Sequence, residues 1–175
     1  MLKGKLINLT AIEKKDLMKL MEWRNNPNYR RYFREYRELN TTMQENWFEK
    51  KVISDDSTIM FSIRKNDTDE LLGCCGLCYI NWINGSADLS LYIGWENTYI
   101  DEVGFAEESC KLLFEHAFNE LRLNRIWTEI YDIDQKKKSL YEKIGMKVDG
   151  VFRESYFYDG QYHNSYIFSI LEKDF

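Results

Sequence analysis

The amino-acid sequence predicts an α+β domain built on one mixed, mostly antiparallel sheet. Two hairpin signals, Asn84-Gly85 and Asp159-Gly160, each join two strand-like stretches, and hairpins make neighbouring strands antiparallel. One strand-helix-strand crossover runs from SADLSLYIG to RIWTEIY, and such a crossover makes its two strands parallel. Since 44% of the 175 residues are hydrophobic and 15% are aromatic, we expect a single domain over residues 1–175.

The N-terminal part is predicted to contain one strand and two helices. The segment LKGKLINL is typical of a strand. Thr10 and Glu13 have the capping-box spacing that starts a helix, and Pro27 ends it. Thr41 and Gln44 repeat the capping pattern before a second helix. Between the helices, NYRRYFREYRELN is too aromatic for a linker and too charged for a core helix, which indicates the wall of a binding site.

Six further strands and two helices are expected in the rest of the chain. The strands are TIMFSI, ELLGCCGLCYINWI, SADLSLYIG, RIWTEIY, VDGVFRESYFY and HNSYIFSIL. In SADLSLYIG apolar and polar residues alternate, so one face is core and the other presents polar groups. FAEESCKLLFEHAFNEL is predicted to be an amphipathic helix, and DQKKKSLYEKIGM a shorter one with Asp134 as N-cap and Gly145 just past its end.

The composition argues against metal and nucleic acid as partners. The four cysteines are Cys74, Cys75, Cys78 and Cys110, and positions 75 and 78 of a strand point to opposite faces, so we expect buried free thiols and no metal site. The net charge of −5 does not suit nucleic-acid binding. No apolar run is long enough for a membrane span, and MLKGKLINLT lacks the apolar core of a signal peptide, so we expect a cytoplasmic protein.

Two features of the crossover region indicate chemistry. The loop WENTYIDEVGFAEES leads from a strand into a helix N-terminus, where unpaired N–H groups favour phosphate. The short basic helix places Tyr141 on the same face as Leu140 and Ile144. A buried tyrosine often needs only a hydrogen-bond partner, so these residues alone leave plain packing as the alternative to a chemical role.

The chain resembles the GNAT superfamily of acetyl-CoA-dependent N-acetyltransferases over its full length. The matching stretches are WRNNPNYRRYFREY, SLYEKIGMKVDGVFRES and YFYDGQYHNSYIF, which are similar to the branch of ribosomal-protein N-terminal and spermidine N-acetyltransferases. The resemblance implies a central sheet of six to seven strands with a splayed parallel pair, flanked by about four helices. It also implies direct acetyl transfer from acetyl-CoA, without a metal, to a primary amine of a protein N-terminus, polyamine or amino sugar.

The resemblance places the acetyl-CoA site at the end of SADLSLYIG and in the loop that follows. The family pattern is Gln or Arg, two residues, Gly, one residue, then Gly or Ala. Gly104 and Ala106 fit this pattern, whereas Asp101 replaces the Gln or Arg and Glu102 adds a second carboxylate. The basic helix also departs from the family, which has Asn and then Ser or Ala at its start. The implied cofactor-binding residues are Tyr92, Ile93, Gly104, Phe105, Ala106, Asp134 and Lys137.

The family's chemistry needs an acid and a base. In the family a tyrosine equivalent to Tyr141 lies near the cofactor sulfur. A phenol with a pKa of about 10 can protonate a thiolate with a pKa of about 8.5 at a cost of about 2 kcal/mol. An amine with a pKa of about 10.4 costs about 4 to 5 kcal/mol to deprotonate at pH 7, which calls for a base. Asp88, Glu129 and Glu35 are the base candidates, with a relay through water as the alternative.

The stretch from Trp23 to Arg37 is expected to form the acceptor site. Its predicted substrate-binding residues are Trp23, Tyr32, Phe33 and Glu35. The five arginines of this stretch suit a phosphorylated or carboxylated acceptor better than a polycation. The alternative to an enzyme is a GNAT-fold acyl-CoA sensor or interaction module. The sheet edges and the aromatic C-terminal strands are compatible with a homodimer.

Overall fold

The computed structural model describes residues 1–175 and consists of one eight-stranded sheet with five α-helices. In chain order the strands are β1 (Leu2–Lys3), β2 (Ile7–Ala11), β3 (Ile59–Lys65), β4 (Leu71–Asn81), β5 (Ser86–Ile93), β6 (Arg125–Tyr131), β7 (Lys147–Tyr158) and β8 (Gln161–Leu171). The helices are α1 (Leu17–Asn25), α2 (Pro27–Arg30), α3 (Thr41–Trp47), α4 (Phe105–Glu115) and α5 (Gln135–Lys143). Each of these helices falls short of the length or the hydropathy needed to cross a bilayer.

The sheet topology confirms the predicted fold class. The strand order is β1-β2-β3-β4-β5-β6-β8-β7, and β5 with β6 is the one parallel pair. Helix α4 lies in the crossover between these two strands. The strands pair only where Ser86–Asp88 runs beside Arg125–Trp127, and beyond these residues they separate. The expected splayed parallel pair is therefore present.

The sheet has one strand more than expected because LKGKLINL forms β1 and β2 instead of a single strand. Glu108 on α4 accepts hydrogen bonds from the backbone N–H groups of Lys5, Leu6 and Ile7 at 2.6, 2.8 and 3.0 Å. These three N–H groups donate to the helix and not to a neighbouring strand. A Cβ at Gly4 would lie 2.7 Å from the backbone carbonyl oxygen of Ile7 and 2.7 Å from the carboxyl carbon of Glu108, so this close approach requires glycine.

The two predicted helix starts are displaced along the chain. Thr10 lies in β2 and caps no helix. The capping box forms further along the chain, between Glu13 and Asp16, where the Asp16 side chain accepts from the Glu13 N–H at 3.2 Å. Asn40 caps α3 one residue before the predicted position, because its Oδ1 accepts from the Met43 N–H at 2.9 Å. Spacing alone does not identify the residue whose side chain reaches back to the first turn.

A buried ion pair ties the start of α1 to β3. Asp16 accepts from the Arg64 guanidinium at 2.5 Å and from the Ser62 hydroxyl at 2.8 Å. Asp16 is 3% exposed and Arg64 is 7% exposed. Water is therefore not available to either charge, and each depends on the other.

We expect Asp16→Asn to lower the free energy of unfolding by about 3 to 5 kcal/mol, because it leaves the buried Arg64 guanidinium with only the exposed Asp69 carboxylate, 3.8 Å away. Denaturant unfolding measures this loss. The control is Asp67→Asn, which removes the exposed Asp67–Lys65 pair at 3.6 Å and should cost less than about 1 kcal/mol. Equal losses in the two variants would contradict this account of the buried pair.

Candidate functional site

The separation of β5 and β6 creates a crevice whose inner end is a fork. At the fork the Thr128 hydroxyl of β6 donates to the Leu89 carbonyl of β5 at 3.1 Å. A cavity of about 450 Å³ opens here, between the polar face of the sheet and the segment that follows α2. The sequence assigned seven residues of this region to three roles: acceptor binding for Tyr32, Phe33 and Glu35, cofactor binding for Tyr92 and Lys137, and catalysis for Asp88 and Glu129. The structure brings all seven to this one cavity.

Asp88 provides a buried carboxylate at the fork. Its Oδ2 accepts from the Arg34 guanidinium at 2.8 Å, whereas its Oδ1 is buried and has no hydrogen-bond partner. Burial raises the pKa of Asp88, against the opposing effects of Arg34 and the Thr128 hydroxyl. A carboxylate with one free oxygen and a raised pKa is suited to accept a proton.

Glu129 and Glu35, the other two base candidates, are held by other groups. Glu129 accepts from the Ser165 hydroxyl at 2.5 Å and lies 3.9 Å from Arg34. Glu35 forms a 2.7 Å salt bridge with Arg37, and this hydrogen-bonded partner lowers the pKa of Glu35 to about 2. Asp88 is thus the only one of the three with a buried oxygen that lacks a partner.

Tyr141 is fully buried on α5 and packs against Phe168 with 5.9 Å between ring centroids. Its hydroxyl is buried and forms no hydrogen bond. Burial raises the pKa of Tyr141, and the neighbouring Thr128 hydroxyl opposes this shift only in part. An unpartnered buried hydroxyl costs about 1 to 3 kcal/mol, so packing alone explains this tyrosine poorly. The phenol stays protonated at neutral pH and can donate.

Lys137 lies inside the crevice, not on the solvent-exposed phosphate side that the basic run of α5 suggests. It is 9% exposed, lines the same cavity as Asp88 and forms no salt bridge. Its ammonium lies 5.3 Å from the centroid of the Tyr99 ring. Burial lowers the pKa of Lys137. Buried lysines without a carboxylate partner are costly, and they are found more often at functional sites than elsewhere.

The predicted phosphate loop is occupied by its own aspartate. Gly104 has φ +114°, and α4 starts directly after it. The backbone N–H groups of Gly104, Phe105 and Ala106 all donate to the Asp101 carboxylate, at 2.6, 2.8 and 2.8 Å. The three donors that the sequence assigned to a cofactor phosphate therefore already have an anionic acceptor, at the position where the chain departs from the family pattern.

Tyr99 bridges the outer ends of the separated strands. Its carbonyl accepts from the N–H of Ile93 at 2.8 Å, and its hydroxyl donates to Asp134, just after β6, at 2.7 Å. The side chain is 4% exposed and stacks on Tyr32 with 4.7 Å between ring centroids. In this conformation the segment from β5 to α4 covers the outer half of the crevice.

Trp23 lies apart from the cavity. It is 7% exposed, and a Cβ added to Gly94 would lie 1.8 Å from its ring, so the ring packs directly on the end of β5.

Sequence reasoning gave no role to Thr128 and Tyr99, and it did not identify Asp101 as an N–H acceptor. It counted Arg34 among the arginines suited to an anionic acceptor but did not pair it with Asp88. Thr128 had a usable signal, because it is the one polar residue at an inward position of RIWTEIY. Arg34 and Tyr99 pair with residues 54 and 35 positions away, which no local pattern contains. Asp101 lies only three to five residues before its N–H donors, so its position just before the helix start was a local signal.

Comparisons with known proteins identify the family of this chain. The family described as "Acetyltransferase (GNAT) domain" matches residues 7–147. The spermidine N(1)-acetyltransferase of Escherichia coli K12 is 26% identical over 160 residues, covering 91% of this chain and 82% of that protein. An uncharacterized N-acetyltransferase, p20 of Bacillus licheniformis, is 29% identical over 118 residues, which cover 66% of this chain and 63% of p20.

Solved structures show the same fold. A spermidine N-acetyltransferase from Vibrio cholerae, in complex with CoA and spermine, superposes with a TM-score of 0.87 at 26% identity, covering 97% of each chain. The family match spans most of this chain and includes the fork, the phosphate loop and Tyr141. The chain therefore belongs to the GNAT family of acetyl-CoA-dependent N-acetyltransferases.

Proposed function

We propose that this chain acetylates a primary amine held in the cavity at the β5–β6 fork, by direct transfer from acetyl-CoA. The observation that carries the proposal is the pair of buried, unpartnered polar groups at the fork, Asp88 Oδ1 and the Tyr141 hydroxyl, both next to Thr128. One group can take a proton and the other can give one. Direct transfer to an amine requires these two steps.

Asp88 is the proposed base. An acceptor ammonium that reaches Oδ1 can form a hydrogen bond there and pass its proton to the carboxylate, directly or through one water. The raised pKa of Asp88 makes it a better proton acceptor than an exposed aspartate, while the nearby Arg34 favours its ionised form. The neutral amine is then the nucleophile.

Acetyl-CoA supplies the activated acyl group, and the inner crevice fits a thioester. Beyond Asp88 the β6-facing edge of β5 has no strand partner until Ile93, so backbone groups are available there to orient an extended ligand. Tyr141 is the proposed acid for the departing thiolate. At the outer end, a pyrophosphate would meet the Asp101 carboxylate on the α4 donors, so binding requires the Asp101 turn to open.

A covalent acetyl-cysteine step does not fit the thiols of this chain. Burial raises the pKa of Cys74 and of Cys110 to about 12, and that of Cys78 to about 11. The Cys75 thiol is also fully buried, and burial raises its pKa well above the ordinary value. Thiols in these surroundings carry no appreciable thiolate at neutral pH, so we propose transfer without an enzyme-bound intermediate.

We expect Tyr141→Phe to lower kcat about tenfold with little change in acetyl-CoA affinity, because the variant keeps the ring and loses the proton donor. The measurement is release of free CoA thiol with a panel of amines, together with calorimetric binding of acetyl-CoA. Tyr166→Phe on β8, which is half-buried, serves as the control and should be neutral. Acetyl-CoA binding without thiol release for any amine would overturn the proposed function.

A further inference from the structure

We propose that the amine acceptor also carries an anionic group, a phosphate or a carboxylate, and that Arg24 and Arg34 bind this group in the cavity. This inference rests on the proposed function. It concerns the chemical class of the acceptor, which the fold alone does not determine.

The carboxylates of the cavity are already compensated by cations of the protein. Asp88 is bound by Arg34 at 2.8 Å, and Glu129 lies 3.9 Å from the same guanidinium. Glu35 is bound by Arg37 at 2.7 Å. An acceptor with positive charges alone would therefore meet carboxylates whose charge is already offset by a protein cation.

The cations of the cavity are not all compensated. Arg24 and Lys137 line it and form no salt bridge, whereas Lys51 is bound by Asp55 at 2.7 Å. The Arg24 guanidinium lies 5.0 Å from the centroid of the Phe33 ring, and its Nε is buried without a hydrogen-bond partner. The unpaired charge that faces the cavity is thus positive. A polycation is repelled by this charge, and an anionic group is attracted.

Arginine is well suited to hold such a group. Its planar guanidinium binds phosphate or carboxylate through two parallel hydrogen bonds. Arg34 is 47% exposed at its side chain and reaches Asp88 from the cavity rim. The acceptor ammonium reaches Asp88 Oδ1, while Arg34, bound to Oδ2, can offer its remaining N–H donors to the anion of the same ligand. A molecule with both charges thus pairs its ammonium with Asp88 and its anion with the arginines.

Because of the charges that line the cavity, we do not expect this chain to share the spermidine acceptor of its relatives. The names of the Escherichia coli and Vibrio cholerae proteins state spermidine as their acceptor. At 26% identity the fold is shared, but the charges that line the acceptor cavity are set by individual side chains. In this chain those side chains favour a ligand of mixed charge, and a cavity of about 450 Å³ has room for a small one.

The test compares kcat/KM and calorimetric binding for glucosamine, glucosamine 6-phosphate, muramic acid and spermidine. We expect at least one of the two anionic sugars to exceed glucosamine and spermidine by tenfold or more, and the phosphate and carboxylate arms show which anion is preferred. In Arg24→Gln the ratio of anionic to neutral sugar should fall about tenfold. Arg30→Gln, which removes a charge paired with Glu38 at 3.9 Å, should leave the ratio unchanged.

If Arg24→Gln fails to fold, Arg34→Gln replaces it, with the same expected fall in the ratio. Tighter binding of spermidine, or no advantage of either anionic sugar over glucosamine, would overturn the inference while turnover of any amine still supports the proposed function. Arginine-dependent binding of an anionic sugar without thiol release would support the inference and count against the proposed function.

Discussion

Asp88→Asn is expected to lower kcat/KM by about 100-fold or more, because a positioned general base contributes about 10² to 10⁴ to the rate. The variant keeps the shape of the side chain and its contact with Arg34, but it cannot accept a proton. Initial rates of thiol release measure the effect, and circular dichroism checks the fold. Glu129→Gln removes the neighbouring carboxylate and should cost much less, since Glu129 is held by Ser165.

The dependence of activity on pH is a second test of Asp88 as the base. Asp88 acts as a base only when ionised, and burial raises its pKa above the ordinary value of 3.8. Activity should therefore be lost as the pH falls through this raised pKa, and the residual activity of Asp88→Asn should lack that acid-side loss. If Glu129→Gln lowered kcat/KM by about 100-fold and Asp88→Asn remained near wild type, the base would be Glu129 instead.

Asp101→Asn is expected to tighten acetyl-CoA binding by about 10- to 100-fold, which corresponds to about 1.4 to 2.8 kcal/mol. The substitution removes the charge that competes with pyrophosphate for the N–H groups of Gly104, Phe105 and Ala106. Isothermal calorimetry measures the affinity. The unliganded variant should also melt at a lower temperature, because a neutral amide is the weaker acceptor at this helix start.

Glu102→Gln is the matched control for this variant. It makes the same change in net charge one residue further along, at an exposed side chain with no hydrogen bond to α4. If both variants tightened acetyl-CoA binding equally, the cause would be the lower negative charge of the loop, and the hydrogen bonds of Asp101 to α4 would have no specific role. Weaker binding in Asp101→Asn would show that the aspartate supports the bound state.

The fold was predictable because its signals are local. Short windows of sequence contain the hairpins at Asn84-Gly85 and Asp159-Gly160, the amphipathic α4 and the cap and stop of α5. They determine which consecutive strands are antiparallel and which are parallel, but not that β8 lies beside β6. Asp134 Oδ1 does accept from the Lys137 N–H, at 3.1 Å, and Gly145 has φ +88°. The split of the first strand was missed because its cause, Glu108, lies about 100 residues away.

The candidate site was predictable in its residue types and less so in its pairings. Alternation in β5 indicated that Asp88 faces away from the core of apolar residues, yet its partner Arg34 is 54 residues away. The acidic loop was recognised as a departure, whereas the three bonds to Asp101 needed the folded turn. The resemblance implied that Lys137 binds the cofactor, but helical geometry turns it inward to the cavity while Lys136 and Lys138 remain near the surface.

The most direct test is a crystal structure of the protein with CoA and an accepted amine. We predict that the CoA sulfur lies beside the Tyr141 hydroxyl, that the amine reaches Asp88 Oδ1, and that the N–H groups at the start of α4 have exchanged Asp101 for pyrophosphate. CoA bound outside the fork, with Tyr99 still joining Ile93 to Asp134 and Asp101 still on α4, would contradict the account.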